Sequence, residues 1–126
     1  MVGIVIVSHS QKLAEGVVEI SRMMAKSAPI VAAGGLEDGK LGTSYEKICA
    51  AIEKVYSADG VIVLMDMGSA VMTTEMVLEG LDKPKVKMLD CPLVEGAVLA
   101  AVESAGGCSL EEISSRIEES RTTKKF

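Results

Sequence analysis

The stretch MVGIVIVSHSQ, Met1 to Gln11, decides how the rest of the chain is read. Val2, Ile4, Val5, Ile6 and Val7 make a nearly unbroken β-branched run. Such a run suits a pleated backbone, and its lack of polar alternation marks a strand covered on both faces. It stops at Ser8-His9-Ser10, which holds the one histidine of the protein. Beyond it, Leu13, Val17, Ile20 and Met24 recur at helical spacing and predict a helix from about Ser10 to Ala25. Strand, polar turn and helix in succession place His9 at the end of a core strand and at a helix N-terminus. The first N–H groups there lack intrahelical partners, and the helix dipole favours a negative guest. A phosphoryl group fits that place, beside an imidazole biased towards its neutral, nucleophilic form.

Working outward, the same pattern repeats. Pro29 to Ala33 reads as a short strand, and its leading proline puts it at a sheet edge. Gly34-Gly35 and the loop LEDGKLG follow. Thr43-Ser44-Tyr45-Glu46 has capping-box spacing and predicts a helix with Ile48, Ile52 and Val55 inward. Asp59-Gly60 turns the chain into Val61–Met65, a second wholly apolar strand that stops at Asp66-Met67-Gly68-Ser69. A third helix is expected over about Ser69 to Glu79, with Gly80 as its stop. Lys85 to Met88 alternates charged and apolar residues, as a half-exposed edge strand does. Pro92 to Ala105 reads as a helix with proline in its first turn, and Ser109 with Glu112 as a capping box opening the last helix.

This order, βαβαβαβα and one more helix, predicts an α/β fold: a single-domain open parallel sheet with helices on both faces. The two wholly apolar strands belong at the centre, which gives strand order 2-1-3-4, a flavodoxin-like arrangement. The expected domain covers residues 1–120, with 121–126 a frayed polar tail. Chemistry in such a sheet belongs at the carboxyl ends of the strands flanking the switch point. His9 and Asp66 end those two strands.

Composition narrows the function. The net charge is −5 and aromatics are 2% of residues, so the chain offers neither the basic face nor the stacking rings of a nucleic-acid binder. Cys49, Cys91 and Cys108 form no CxxC pair, which argues against a disulfide framework or a zinc site. No run is long enough to span a bilayer, and no basic-flanked signal segment precedes the first strand, so a cytoplasmic protein is expected.

Asp66 has two readings: cap of the helix that follows it, or acceptor of Nδ1–H of His9. The second leaves Nε2 as the nucleophile. Gly34 to Leu41, GGLEDGKL, nearly matches a nucleotide P-loop but ends in a leucine that cannot ligate a metal, and it carries two acids facing the phosphates. It reads better as a flexible loop. Folded over His9, it could add Gly42 and Thr43 as donors to a phosphoryl group. Met65, Met67, Met72 and Met76 are read first as core filling, with an adaptable docking surface as the alternative. Cys91 at a helix start is read as buried and inert.

The segments VIVSHS (Val5–Ser10), A-x-G-V (Ala14–Val17), Gly34-Gly35 with Gly42-Thr43, and MDMGS (Met65–Ser69) resemble the phosphotransferase-system M subunits of dihydroxyacetone kinase. The first domain of these subunits is of the mannose-class enzyme IIA type. The resemblance runs from Met1 to about Leu110. It implies a histidine phosphorylated by the phosphocarrier HPr, which passes the phosphoryl group to ADP on a separate nucleotide-binding subunit. That subunit then phosphorylates dihydroxyacetone held on a third. It also implies a homodimer. His9 falls on the family's phosphorylated histidine and Asp66 on the aspartate beside it. The phosphoryl-binding residues expected are Ser10, Gly42, Thr43, Gly68 and Ser69. No metal site, cofactor or membrane contact is expected on this chain, ADP and Mg²⁺ being held by the partner subunit. Sugar-transporter IIA domains usually carry a longer D-x-x-G-G-S-P loop where this chain has Asp66-Met67-Gly68-Ser69-Ala70. The transporter IIA role is the first alternative, and a flavodoxin-like regulatory module without turnover the second.

Overall fold

A computed structural model describes residues 1–126. Its elements are β1 (Gly3–Ser8), α1 (Gln11–Met24), β2 (Ile30–Gly34), α2 (Tyr45–Val55), β3 (Val61–Met65), α3 (Ser69–Gly80), β4 (Val86–Met88), α4 (Leu93–Ala105) and α5 (Leu110–Ser120). The strands form one parallel sheet in the order β2-β1-β3-β4, as the apolar pattern predicts. β1 and β3 are buried along their whole length, whereas the three-residue β4 keeps Lys87 in solvent.

Successive side chains of a strand point to opposite faces, and this divides the core in two. Val2, Ile4, Ile6, Ile30, Ile62 and Leu64 pack against α1, α4 and α5. Val5, Val7, Val61, Val63 and Met65 pack against α2 and α3. Each of these aliphatic side chains contributes about 1.5–3 kcal/mol by leaving water. The helices on the first face bring small residues to the sheet, Ala14 from α1 and Ala97, Ala100 and Ala101 from α4, all fully buried. Those residues let the helices lie close.

Two helix starts differ from expectation. Ser44, not Thr43, caps α2, its hydroxyl accepting from Lys47 N–H at 3.1 Å. Both residues can cap, but the Thr43 hydroxyl is held by groups on α3, which leaves Ser44 for the cap. Pro92 is the N-cap of α4 rather than part of its first turn. The predicted box at Ser109 and Glu112 is present, both of its hydrogen bonds made. After α5 the chain ends in a turn and a segment without regular structure, in which Lys125 pairs with Glu95 at 2.8 Å.

The end of β2 comes very close to the start of α1. A Cβ on Gly34 would lie 2.6 Å from the Ser10 carbonyl oxygen and 2.8 Å from Gln11 Cα. Only glycine fits, and the close approach lays the loop after β2 beside the turn that carries His9.

Candidate active site

β1 ends at Ser8 and β3 at Met65, and their in-register pairing, Val7 opposite Met65, delivers His9 and Asp66 side by side. Nδ1 of His9 lies 3.1 Å from Oδ1 of Asp66. Asp66 Oδ1 also accepts the N–H of Met67 at 2.7 Å. Its Oδ2 accepts the Ser8 hydroxyl at 2.8 Å and the His9 N–H at 3.0 Å. Burial works to raise the Asp66 pKa, but it is outweighed by the His9 N–H, the Ser8 hydroxyl, the Met67 N–H and the imidazole. Together they hold the carboxyl below its ordinary 3.8. Asp66 is therefore an acceptor at neutral pH. It is not the cap of α3, whose N-cap is Gly68.

An ionised carboxylate offers no hydrogen, so Nδ1 of His9 carries the proton. In the neutral ring Nε2 is then the acceptor. Its partner is the Ser69 hydroxyl, 2.8 Å away at the first turn of α3. The imidazole edge bearing Nε2 faces the opening of the site, with the His9 side chain 31% exposed against 14% for Asp66.

The remaining expected residues fall around this pair in different roles. Ser10 is the N-cap of α1, its hydroxyl accepting from Leu13 N–H at 3.1 Å and its own N–H directed at the Ser8 hydroxyl. Gly42 donates its N–H to the His9 carbonyl oxygen at 2.9 Å, so it ties the loop to the histidine. Thr43 places Oγ1 at 3.4 Å from Ser69 Oγ and at 3.0 Å from Thr73 Oγ1. Gly68 adopts φ 53° and ψ −120°, a backbone that only glycine takes readily. That geometry turns the chain from Asp66 into α3 and leaves the N–H groups of Gly68 and Ser69 without an acceptor in the chain. Two unpaired N–H groups and the Ser69 hydroxyl at a helix N-terminus are suited to phosphoryl oxygens.

Ser8 and Thr73 belong to the constellation and were not singled out from the sequence. Ser8 adjoins the histidine in the SHS triplet. Thr73 stands four residues after Ser69, hence on the same helix face, which is a signal the sequence carries.

The glycine loop is not a phosphate cradle. Leu36 N–H and Lys40 O, Gly39 N–H and Leu36 O, and Lys40 N–H and the Asp38 carboxylate pair within the loop at 2.9–3.0 Å. Its donors turn inward. Met65 lies in the core, but Met67, Met72 and Met76 are 68%, 67% and 59% exposed, against the core-filling expectation. Met72 and Met76 stand outside because α3 packs inward through Ala70, Thr74 and Val77 instead. Burial pushes the Cys91 thiol up to about 11, with Asp90 and Glu95 adding to it, so this cysteine is inert. All three cysteines are unpaired. No helix is long and apolar enough to cross a membrane.

A histidine and its carboxylate at the switch point of a parallel sheet, with anion donors on a helix start, make an arrangement suited to holding a phosphoryl group. Residues 3–114 match the family described as the PTS system fructose IIA component, and the chain belongs to that family. Among its relatives, it is 43% identical over 120 residues to the phosphoryl donor subunit DhaM of the PEP-dependent dihydroxyacetone kinase of Escherichia coli (strain K12). That match covers 90% of this chain and only 25% of the longer protein. It is 40% identical over 116 residues to the phosphotransferase subunit DhaM of the PTS-dependent dihydroxyacetone kinase of Lactococcus lactis subsp. lactis (strain IL1403), covering 92% of this chain and 93% of that one. A crystal structure of a protein of unknown function superposes over 100% of this chain and 99% of its own, with a TM-score of 0.86 at 27% identity. A sigma-54 interaction domain protein from Enterococcus faecalis, at TM-score 0.76 and 20% identity over 94% of this chain and 89% of its own, shares the fold.

Proposed function

We propose that this chain is the phosphoryl donor subunit of a dihydroxyacetone kinase supplied by the phosphotransferase system, and that His9 carries the phosphoryl group on Nε2. The observation that supports this reading best is the orientation of the ring. Asp66 holds Nδ1–H from the inner side, and Nε2 points outward to Ser69.

In the loading step, the lone pair of Nε2 attacks phosphorus on the phosphohistidine of HPr. The new N–P bond forms as the donor's N–P bond breaks, and the leaving electron pair stays on the donor nitrogen. Nδ1 keeps its proton, so the ring becomes cationic, and the Asp66 carboxylate 3.1 Å away stabilises that charge. The Gly68 and Ser69 N–H groups and the Ser69 hydroxyl receive the phosphoryl oxygens, while the Thr43 hydroxyl holds Ser69 in place. Transfer of this kind asks the protein mainly for positioning and charge stabilisation. In the unloading step the N–P bond breaks towards a terminal oxygen of ADP. ADP and Mg²⁺ reside on the nucleotide-binding subunit, and dihydroxyacetone on a third. The active form is a homodimer that meets HPr and the nucleotide-binding subunit in turn, in the cytoplasm, with no metal or cofactor of its own.

The test is incubation with phosphoenolpyruvate, enzyme I and HPr. An acid-labile, alkali-stable phosphate should appear on the wild type and be discharged by the nucleotide-binding subunit with ADP. Discharge only to a membrane sugar-transporter domain would assign the transporter role, and no label at all would contradict the relay.

A further inference from the structure

Three hydroxyls run in sequence from Nε2 of His9: Ser69 at 2.8 Å, Thr43 at 3.4 Å from Ser69, and Thr73 at 3.0 Å from Thr43. They come from two elements. Ser69 and Thr73 lie on consecutive turns of α3, and Thr43 lies in the loop between β2 and α2. From these distances we infer that Thr73 is a positioning residue for phosphoryl transfer, acting on Ser69 through Thr43. The inference rests on the reading of His9 as the phosphoryl carrier.

The supply of hydrogens fixes the direction of each of these bonds. Nε2 in the resting ring is an acceptor, so Ser69 gives it the single hydrogen of its hydroxyl. Ser69 Oγ can then only accept from its other neighbour, so Thr43 is the donor there. Thr43 has in turn spent its hydrogen, and Thr73 must donate to it. All three O–H bonds therefore point one way, towards the imidazole, and each polarises the next. Thr73 is the outermost donor and fixes that direction.

Loading His9 reverses the demand at the inner end. Once Nε2 is bonded to phosphorus it accepts nothing, and the Ser69 hydrogen passes to a phosphoryl oxygen. A hydroxyl with no second partner would rotate freely between these two states. Tethered through Thr43 to Thr73, Ser69 can only swing between nitrogen and an adjoining oxygen. The tether also fastens the glycine loop to α3, as the Gly42 N–H fastens it to the His9 carbonyl at 2.9 Å. The loop is thus held at two points on either side of the histidine, and Thr73 supplies one of them. The Thr73 side chain is only partly buried, and the one hydrogen bond of its hydroxyl is to Thr43.

The test uses Thr73→Val, which keeps shape and removes the hydroxyl, and Thr73→Ser, which restores it. In the resting protein, the ¹⁵N shift of His9 Nε2 should move towards that of a free acceptor nitrogen in Thr73→Val and return in Thr73→Ser. Loading from phospho-HPr should slow about tenfold in Thr73→Val, as kcat rather than KM, with recovery to within about twofold in Thr73→Ser. Melting should stay close to wild type, since valine keeps the shape of a half-buried side chain and removes a single hydrogen bond. A wild type that takes no label would sink the carrier reading itself. A labelled wild type matched by Thr73→Val in both rate and Nε2 shift would overturn the role of Thr73. A Thr73→Val protein that melts early and is not restored by Thr73→Ser would equally overturn it, in favour of packing.

Discussion

The hydroxyl of Ser69 lies 2.8 Å from Nε2 of His9, on the ring edge opposite the Asp66 carboxylate. The imidazole is therefore clamped from both sides by groups of opposite demand, an acceptor inside and a donor outside. Such a clamp selects one tautomer and one ring orientation, and the orientation it selects aims Nε2 out of the protein.

Ser69→Ala should slow loading of His9 by about 100-fold, the lower end of the range seen when a single preorganised donor to a developing oxyanion is removed. The unpaired N–H groups of Gly68 and Ser69 remain, so transfer should not vanish. Rapid-quench measurement of loading from phospho-HPr reads this directly, and an unchanged rate would exclude Ser69 from the transition state.

Asp66→Asn should cost both rate and stability, with the stability cost depending on pH. The carboxyl pKa is depressed in the folded protein. Its stabilising effect is therefore complete above its unfolded value of about 3.9 and is lost as pH falls through the lower folded value. Denaturant melts of wild type and Asp66→Asn should differ at pH 7 and converge at pH values below the ordinary carboxylate range. A gap that stays constant down to pH 2 would mean that Asp66 is not held ionised by its four hydrogen bonds.

Much of this site could be read from the chain because the signals were local. The β-branched runs before His9 and Asp66 named the two central strands, and parallel pairing of those strands brings their ends together. The hydroxyl chain was less legible. Thr43 sits in a capping-box pattern with Glu46, and nothing local tells that Ser44 takes the cap while Thr43 turns to α3. That choice is made by tertiary contacts, which propensity cannot see. The exposed methionines misled for a related reason: Met72 and Met76 look like core residues until Ala70, Thr74 and Val77 are found to form the buried face of α3.

Gly68→Ala should destabilise the fold by about 1–3 kcal/mol, because φ 53° with ψ −120° is strained for any residue with a side chain. A Cβ there would meet nothing within 4 Å, so the cost is conformational and not a clash. Chemical denaturation measures it. Stability equal to wild type would show that the turn into α3 has another available geometry.

Gly34→Ala should also destabilise, by about 1–3 kcal/mol, for the opposite reason. Its Cβ would press within 2.8 Å of Ser10 and Gln11 backbone atoms and push the start of α1 away from β2. Because that start carries the His9 turn, loading should slow as well. Loss of stability with an unaltered loading rate would separate the glycine contact from the site.

The central claim is that the phosphoryl group is carried by His9 on Nε2, and the most direct measurement is ³¹P–¹⁵N NMR of the protein loaded from phosphoenolpyruvate through enzyme I and HPr. The account predicts one phosphorus coupled to Nε2 of His9, with Nδ1 still protonated, and no phosphorus signal in His9→Ala. Coupling to Nδ1, or phosphate on Ser69, Asp66 or a cysteine, would contradict it.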